Sequence, residues 1–333
     1  ELIRRHDRST FELHLFADDA TSDDFGWLGD NHQDRVHLTT KLSNRQLVHA
    51  IRDQNLDVLV DLNAYSIPGR LGIYSHRLAR CVAAWFNMYA TSGLPGIDWI
   101  IGDNVVAPVG EDYFYSERVA RLPQSYLSFD VNYETPDMVE PPIIASGYLT
   151  FGSLISQYKV TPQVYDAWAS ILRQCPDARL KLGNRVLSSE CNRQYVLQAF
   201  KDRGINVSRI DCLPPANHFE FLKYYDGIDV ALDAFPYNGG TTTTEAIWQG
   251  VPVLAINGDR WASRTSATLL KHCHLGDFVA DSVEDYVAKG VTLANEDATG
   301  ERLQTLRNTM RQELRQSDVC AVDSMVRSFE QVL

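Results

Sequence analysis

The residues best suited to chemistry lie between Asp229 and Gln249, in DVALDAFPYNGGTTTTEAIWQ. A short apolar run, Val230–Leu232, leads into a turn through Pro236, Tyr237, Asn238, Gly239 and Gly240. The threonines Thr241–Thr244 follow, and then Glu245 ahead of Ala246, Ile247 and Trp248. The order reads as strand, glycine turn and helix start. A helix start presents unpaired N–H groups and a partial positive charge. Glycines let a ligand come close to the backbone, and threonine hydroxyls add donors, which suits a phosphate. Glu245, one turn in, is placed to accept hydrogen bonds from ribose hydroxyls. The same residues also make an ordinary threonine-capped helix, and residue chemistry alone leaves the two readings even.

Such a site has to be aimed by strands. Leu56–Leu62 (LDVLVDL) reads as a buried strand ending in Asn63-Ala64-Tyr65-Ser66. Ligands of α/β folds bind at the C-terminal ends of parallel strands, which makes Asn63 and Ser66 candidates beside the plain-turn reading. Phe11–Phe16, Val82–Phe86 and Trp99–Ile101 are further strands of this half, and Asn44–Gln54 is a helix capped by Ser43. From about Val131 to Ser146, with Pro136, Pro141 and Pro142, periodicity stops, as in a linker. Strands then resume at Tyr148–Leu154, Arg179–Leu182, Ile210–Leu213 and Val251–Ile256. They alternate with helices over Pro162–Gln174, Glu190–Asp202, from His218, and over Arg264–His272. From Val283 onward the pattern predicts two or three helices.

This alternation predicts an α/β protein with a parallel sheet and crossover helices in each half. The expected domains are residues 1–135, a linker over 136–147, and residues 148–333, with a cleft between the halves. No GxGxxG follows a strand and no GxxxxGK[ST] occurs, which argues against a dinucleotide oxidoreductase or a P-loop enzyme. The glycine turn comes late instead, which favours nucleotide binding by the second half, as in two-domain glycosyltransferases.

Bulk properties narrow the classes further. A net charge of −12 argues against a long nucleic-acid footprint. No apolar run approaches the ~20 residues that span a bilayer, and Glu1–Arg8 is charged, unlike a signal peptide. The chain is therefore expected to be cytoplasmic, with no membrane partner. Six cysteines are scattered with no CxxC pair, and His272-Cys273-His274 lacks a second ligand pair, so no metal site is expected.

Several stretches, in order, resemble glycosyltransferase family 41, the family of the O-GlcNAc transferases and SPINDLY-type proteins. They are LVDLNAYS (Leu59–Ser66), TSGLPGIDWIIGD (Thr91–Asp103), YSERVARLPQSYLSF (Tyr115–Phe129), FGSLISQYKVTP (Phe151–Pro162), LPPANHFEFL (Leu213–Leu222), Asp229–Asp259 and ASRTSATLL (Ala262–Leu270). The resemblance covers nearly the whole chain. It implies a GT-B fold, two Rossmann-like domains with an interdomain cleft and a helical C-terminal tail, and the second domain holding the donor. The implied reaction moves a sugar from a nucleotide-sugar to a protein Ser or Thr hydroxyl, inverting the anomeric centre, without metal or other cofactor. The expected donor is a UDP-sugar, with UDP-GlcNAc first.

By resemblance, Lys159 is the lysine that contacts the diphosphate, and Thr241 and Thr242, beside Gly239 and Gly240, sit at the phosphate-binding helix start. Glu245 binds ribose, His218 lies against the nucleobase, and Ser156 is near the sugar-nucleotide. Asn63, Ser66, Thr91 and Ser92 belong to the sugar and acceptor side. A first strand, a loop bearing an active-site histidine and a tetratricopeptide array are expected ahead of Glu1. Three places depart from the family pattern: Asn87-Met88-Tyr89-Ala90 replaces Gly-Tyr-Pro-Gly, Gly240 stands where O-GlcNAc transferases carry histidine and SPINDLY-type proteins threonine, and Pro215 and Phe221 replace polar positions around the base-binding histidine. The alternatives are a relative using UDP-glucose or GDP-fucose, and a non-catalytic domain that binds a nucleotide or a partner.

Overall fold

A computed structural model describes residues 2–18, 21, 25, 26, 28 and 35–333. The chain divides into two units, Glu1–Tyr126 with Val322–Leu333, and Leu127–Ala321. The division falls upstream of the proline-rich 136–147 stretch, and the last helix returns to the first unit, a long-range pairing that no local pattern signals.

The first unit opens with helix α1 (Leu2–Arg5) and two parallel strands, β1 (His14–Ala17) and β2 (Arg35–Leu38). Helix α2 (Asn44–Arg52) forms because Leu47, Val48 and Ile51 fall on one face and are buried. Ser43 and Gln46 close a capping box at its start, and Asn55 beyond its end has φ 50°. A parallel sheet follows in simple sequential order: β3 (Val58–Asp61), β4 (Cys81–Ala84), β5 (Trp99–Asp103) and β6 (Arg118–Leu122).

The crossover helices expected in this half are missing between these strands. The β3–β4 connection runs through 3-10 turns at Ala64–Ser66 and Pro68–Ser75, and β5–β6 through another at Asp112–Phe114. Pro68, Gly69 and Gly72 in the longer segment are poor α-helix formers. Strand β6 escapes sequence reading because it is an edge strand, whose charged Arg118 and Arg121 break the apolar run.

The second unit begins with α3 (Pro142–Ser146), a short helix inside the expected linker. Then come β7 (Thr150–Ser153), α4 (Pro162–Gln174), β8 (Arg179–Gly183), α5 (Glu190–Lys201), β9 (Ile210–Leu213), α6 (His218–Lys223) and β10 (Val230–Leu232). Next are α7 (Thr241–Trp248), β11 (Val253–Ile256), α8 (Thr265–His272), β12 (Val279–Ala280), α9 (Val283–Asn295) and α10 (Thr299–Gln316). The six strands are parallel, in the order β12-β11-β10-β7-β8-β9. The chain winds outward from β7 to β9 and then restarts at β10 on the other side of β7. The crevice beyond the C-terminal ends of β7 and β10 is thus the topological switch point, the general ligand position of a doubly wound sheet. Helix α11 (Val322–Val332) completes the first unit against α1 and β6.

Asp229 anchors the start of β10. Its carboxylate accepts from the backbone N–H groups of Ile143 and Thr150 at 3.0 and 2.8 Å, while the buried Arg307 of α10 donates to the carbonyls of Tyr225, Gln249 and Ile228. Burial pushes Asp229 up to about 6, and does the same to Asp233 at the end of β10. Both folded-state values lie above the unfolded value, so their stabilising contribution is complete below about pH 4 and is lost as pH rises through about 6. Unfolding free energy, measured by urea titration at pH 5, 6 and 7, is expected to fall with rising pH by on the order of 2 kcal/mol or more.

Candidate functional site

The switch point brings together the residues that the sequence scatters. After β7 the chain passes Ser156, which is exposed, and makes a 3-10 turn over Gln157–Lys159. After β10 it turns through Asp233–Gly240 into α7. The two loops meet where Lys159 Nζ donates to the Asn238 carbonyl at 2.6 Å and lies 3.9 Å from the Tyr237 ring centroid. Burial lowers the Lys159 pKa, and the nearby Asp233 carboxylate opposes that shift. A cation is thereby held against the start of a helix that already favours anions.

Asp233 shapes the turn. Its Oδ1 accepts from the N–H groups of Gly239 at 2.7 Å and Ala234 at 2.9 Å. Asn238, fully buried, donates through Nδ2 to the Ala234 carbonyl at 2.8 Å and through its N–H to the Ala262 carbonyl at 2.9 Å. These bonds fix the backbone entering α7, whose capping residue Gly240 offers no side chain to the first-turn N–H groups. A Cβ on Gly239 would come within 2.6 Å of Thr243 Oγ1 and 2.9 Å of Thr242 Oγ1, so the close passage requires glycine. Gly240 has room, its nearest neighbour being Thr265 Cγ2 at 3.8 Å.

The four threonines divide by role. Thr243 is buried and bonds Ser266 Oγ at 2.8 Å, and Thr244 donates back to the Thr241 carbonyl at 2.9 Å. Thr241 is exposed and Thr242 half-buried, and neither hydroxyl has a hydrogen bond among the described residues. The two threonines assigned to phosphate are therefore the two whose hydroxyls are available.

Deeper in α7, Glu245 is buried and its Oε1 lies 2.7 Å from His218 Nε2. Burial raises the Glu245 pKa, and His218 pulls it back. His218 is the first residue of α6, whose start is capped by Asn217 accepting from the Glu220 N–H at 2.9 Å. The Tyr133 ring meets the His218 ring edge-on, with centroids 4.7 Å apart. Half of the His218 side chain stays exposed, so a flat ring can pack on it. Tyr133 and Asp233 were not singled out from the sequence, and Asn238 was read only as part of the turn. Tyr133 lies in a stretch without periodicity, and nothing local links it to His218. Arg264 Nε donates to the Gly258 carbonyl at 2.7 Å, and Asp259 pairs with Arg260.

The candidates of the first unit gather separately, after β3 and β4. Asp61 at the end of β3 accepts from the N–H groups of Asn63 at 3.0 Å and Ala64 at 3.2 Å, which leaves the Asn63 and Ser66 side chains exposed. Tyr65 joins this turn to the next loop by donating to the Thr91 carbonyl at 3.0 Å. Thr91 Oγ1 donates to the buried Glu117 at 2.8 Å, and Ser92 donates to it through both N–H and hydroxyl. Thr91 and Ser92 thus hold a buried carboxylate. Although burial works against it, these bonds bring the Glu117 pKa below the usual carboxylate range. Glu117→Ala would leave those donors unpaired and is expected to destabilise the first unit by about 2–4 kcal/mol in denaturant titration. In the departing loop, Tyr89 donates to Asn87 Oδ1 at 3.1 Å and Asn87 donates to the Leu62 carbonyl at 2.8 Å.

Comparison with known proteins bears on the family and the fold. The family description Glycosyl transferase family 41 matches residues 2–148 and 143–329. A protein of Oryza sativa subsp. japonica, "Probable UDP-N-acetylglucosamine--peptide N-acetylglucosaminyltransferase SPINDLY", is 32% identical over 87% of this chain and 31% of its own length. The Arabidopsis thaliana protein of the same designation ending in SEC is 25% identical over 87% of this chain and 30% of its own length. The chain thus spans about a third of the curated relatives it matches. The solved structure "Thermobaculum terrenum O-GlcNAc transferase mutant - K341M" superposes with a TM-score of 0.89 at 29% identity, covering 99% of this chain and 62% of that one. The fold is of the GT-B class. No helix among the described residues is long and apolar enough to cross a membrane.

Proposed function

The chain belongs to glycosyl transferase family 41, and from that premise we propose that it is the catalytic region of an inverting, metal-independent transferase. It moves GlcNAc from UDP-GlcNAc to serine or threonine hydroxyls of proteins, in the cytoplasm. The observation that carries the reading is the contact between Lys159 and the Asn238 carbonyl at the start of α7, which joins the two switch-point loops.

The diphosphate lies against the first turn of α7. Backbone N–H groups after Gly239 and Gly240, the hydroxyls of Thr241 and Thr242, and the Lys159 ammonium receive its charge. Glu245 accepts from the ribose hydroxyls, His218 packs on the base, and Ser156 borders the sugar. Asn63, Ser66, Thr91 and Ser92 belong to the sugar and acceptor side. In the reaction the acceptor oxygen attacks the anomeric carbon and gives up its proton, the bond from that carbon to the diphosphate oxygen breaks, and the electron pair leaves with UDP, so the products are the glycoside, UDP and one proton. Negative charge grows on the leaving diphosphate, so donors fixed there lower the barrier more than they tighten ground-state binding.

Calorimetric titration with UDP and with GDP, without added divalent ion, tests the reading. Saturable binding that prefers UDP is expected. Preference for GDP would move the donor to a GDP-sugar, and no binding of either nucleotide by folded protein would make the chain a non-catalytic relative. Within the site, His218→Ala is expected to weaken UDP binding about tenfold, since stacking on a base contributes about 1–3 kcal/mol. Titration of the variant at constant pH checks this.

A further inference from the structure

Two neighbouring cavities in the first unit carry five arginines between them. One, of about 680 Å³, lies at the N-terminal edge of the sheet. Arg80 precedes β4, Asp98 precedes β5, and Arg118 opens β6, with Arg77 beside them. The other, of about 450 Å³, is lined by Arg45, His49 and Arg52 of α2, together with His76. Residues 45, 49 and 52 follow the i, i+4, i+7 spacing that places side chains in a row, about one turn of 5.4 Å apart. The cavities adjoin, since Arg52 Nε donates to the Arg77 carbonyl at 2.9 Å.

Asp98 is the one carboxylate among the lining residues, and it is already engaged by Arg77 at 2.7 and 2.8 Å and by the Val82 N–H at 2.8 Å. Arg118 has a ring contact with Trp99 at 5.4 Å and no ion pair among the described residues. Arg45 has no ion pair or hydrogen bond among them either. Arg80 makes one exposed pair, to Asp57 at 3.3 Å, and such pairs contribute little. Arg45 and Arg118 thus have no carboxylate within ion-pair distance among the described residues, in a chain of net charge −12.

We propose that this basic groove docks an acidic segment of a partner polypeptide. Its cations are spread along two connected hollows, which suits carboxylates spaced along a chain better than one compact phosphate group. The negative charge of the rest of the molecule opposes a long nucleic-acid backbone. Arginine forks match carboxylates in bidentate geometry. The inference does not rest on the transferase reading, and its test needs no turnover.

The test is fluorescence anisotropy with a labelled hexaglutamate peptide at low ionic strength, on the wild type and on the triple variant Arg45→Gln/Arg80→Gln/Arg118→Gln. These side chains donate no hydrogen bond to the fold, so the thermal midpoint should be unchanged. Saturable binding is expected, weakened at least about tenfold in the variant and lost at high salt through screening, while UDP titration of the variant matches the wild type. Absence of saturable binding, or equal binding by the variant, overturns the proposal. So does tighter binding of an oligo-dT of equal charge, or full competition by inorganic phosphate at equal charge concentration. Failure of UDP binding alone would count against the transferase reading and leave this one standing.

Discussion

Lys159→Ala is expected to lower turnover of a UDP-sugar about 10²–10³-fold, the usual loss when one donor to a developing oxyanion is removed. UDP affinity should fall by a smaller factor, about tenfold, because the lysine meets more negative charge in the transition state than in bound substrate. The split between kcat and Kd is the diagnostic, read from steady-state turnover and calorimetry on one preparation. Two structural facts set the size of the effect. Lys159 is withdrawn from bulk water, so its interaction with phosphate is poorly screened. It also already touches the Asn238 carbonyl at 2.6 Å, so little reorganisation precedes binding. Removing the cation should also raise the Asp233 pKa further, because Lys159 is among the groups that hold it down. Lys223→Ala is the control: its ammonium pairs with Glu220 at 2.9 Å on an exposed face, and neither parameter should move. Equal losses in kcat and affinity would be those of a general surface charge and would remove Lys159 from the chemistry.

Gly239→Ala should damage both the turn into α7 and nucleotide binding. The added carbon would stand 2.6 Å from Thr243 Oγ1, 2.9 Å from Thr242 Oγ1 and 3.3 Å from Asp233 Oδ1. Thr243 cannot turn away without breaking its 2.8 Å bond to Ser266, and Asp233 cannot move without releasing the Gly239 N–H. The turn must therefore shift, which costs about 1–3 kcal/mol of stability. UDP binding should weaken by more than about tenfold, since the first-turn N–H groups move with it. Gly240→Ala tests the cause, because its new carbon meets only Thr265 Cγ2 at 3.8 Å. Thermal unfolding and UDP titration of the pair should separate them clearly. Equal behaviour of the two variants would show that overlap at Gly239 is not what the glycine avoids.

Elements with a strong local signal were legible in the chain. Helix α4 begins at Pro162 after the Thr161 cap and ends at Gln174, where apolar spacing and capping chemistry set it. Strand β10, the glycine turn and α7 occupy the residues read for them. Three edge strands were not legible, β2 and β12 being short and β6 broken by Arg118 and Arg121, whereas the more apolar edge strands β3 and β9 were. The all-α crossover expected for the first unit failed because turn-forming Pro68, Gly69 and Gly72 outweighed the general βαβ rule.

The same division holds for the candidate site. Residue types and spacing alone determined that a phosphate-suited helix start follows a strand and a glycine turn, since capping and backbone access are properties of consecutive residues. Only the tertiary structure decided that β7 and β10 are neighbours, which sets Lys159 on the Asn238 carbonyl. It also decided that, among the described residues, the Thr241 and Thr242 hydroxyls have no hydrogen bond while Thr243 bonds Ser266, and that Tyr133 meets His218. It turned Thr91 and Ser92 toward the buried Glu117. The physical reason is that a buried hydrogen bond or ion contact depends on which strands pair across the sheet, and that pairing is set by the packing of the whole core, which no window of neighbouring residues contains.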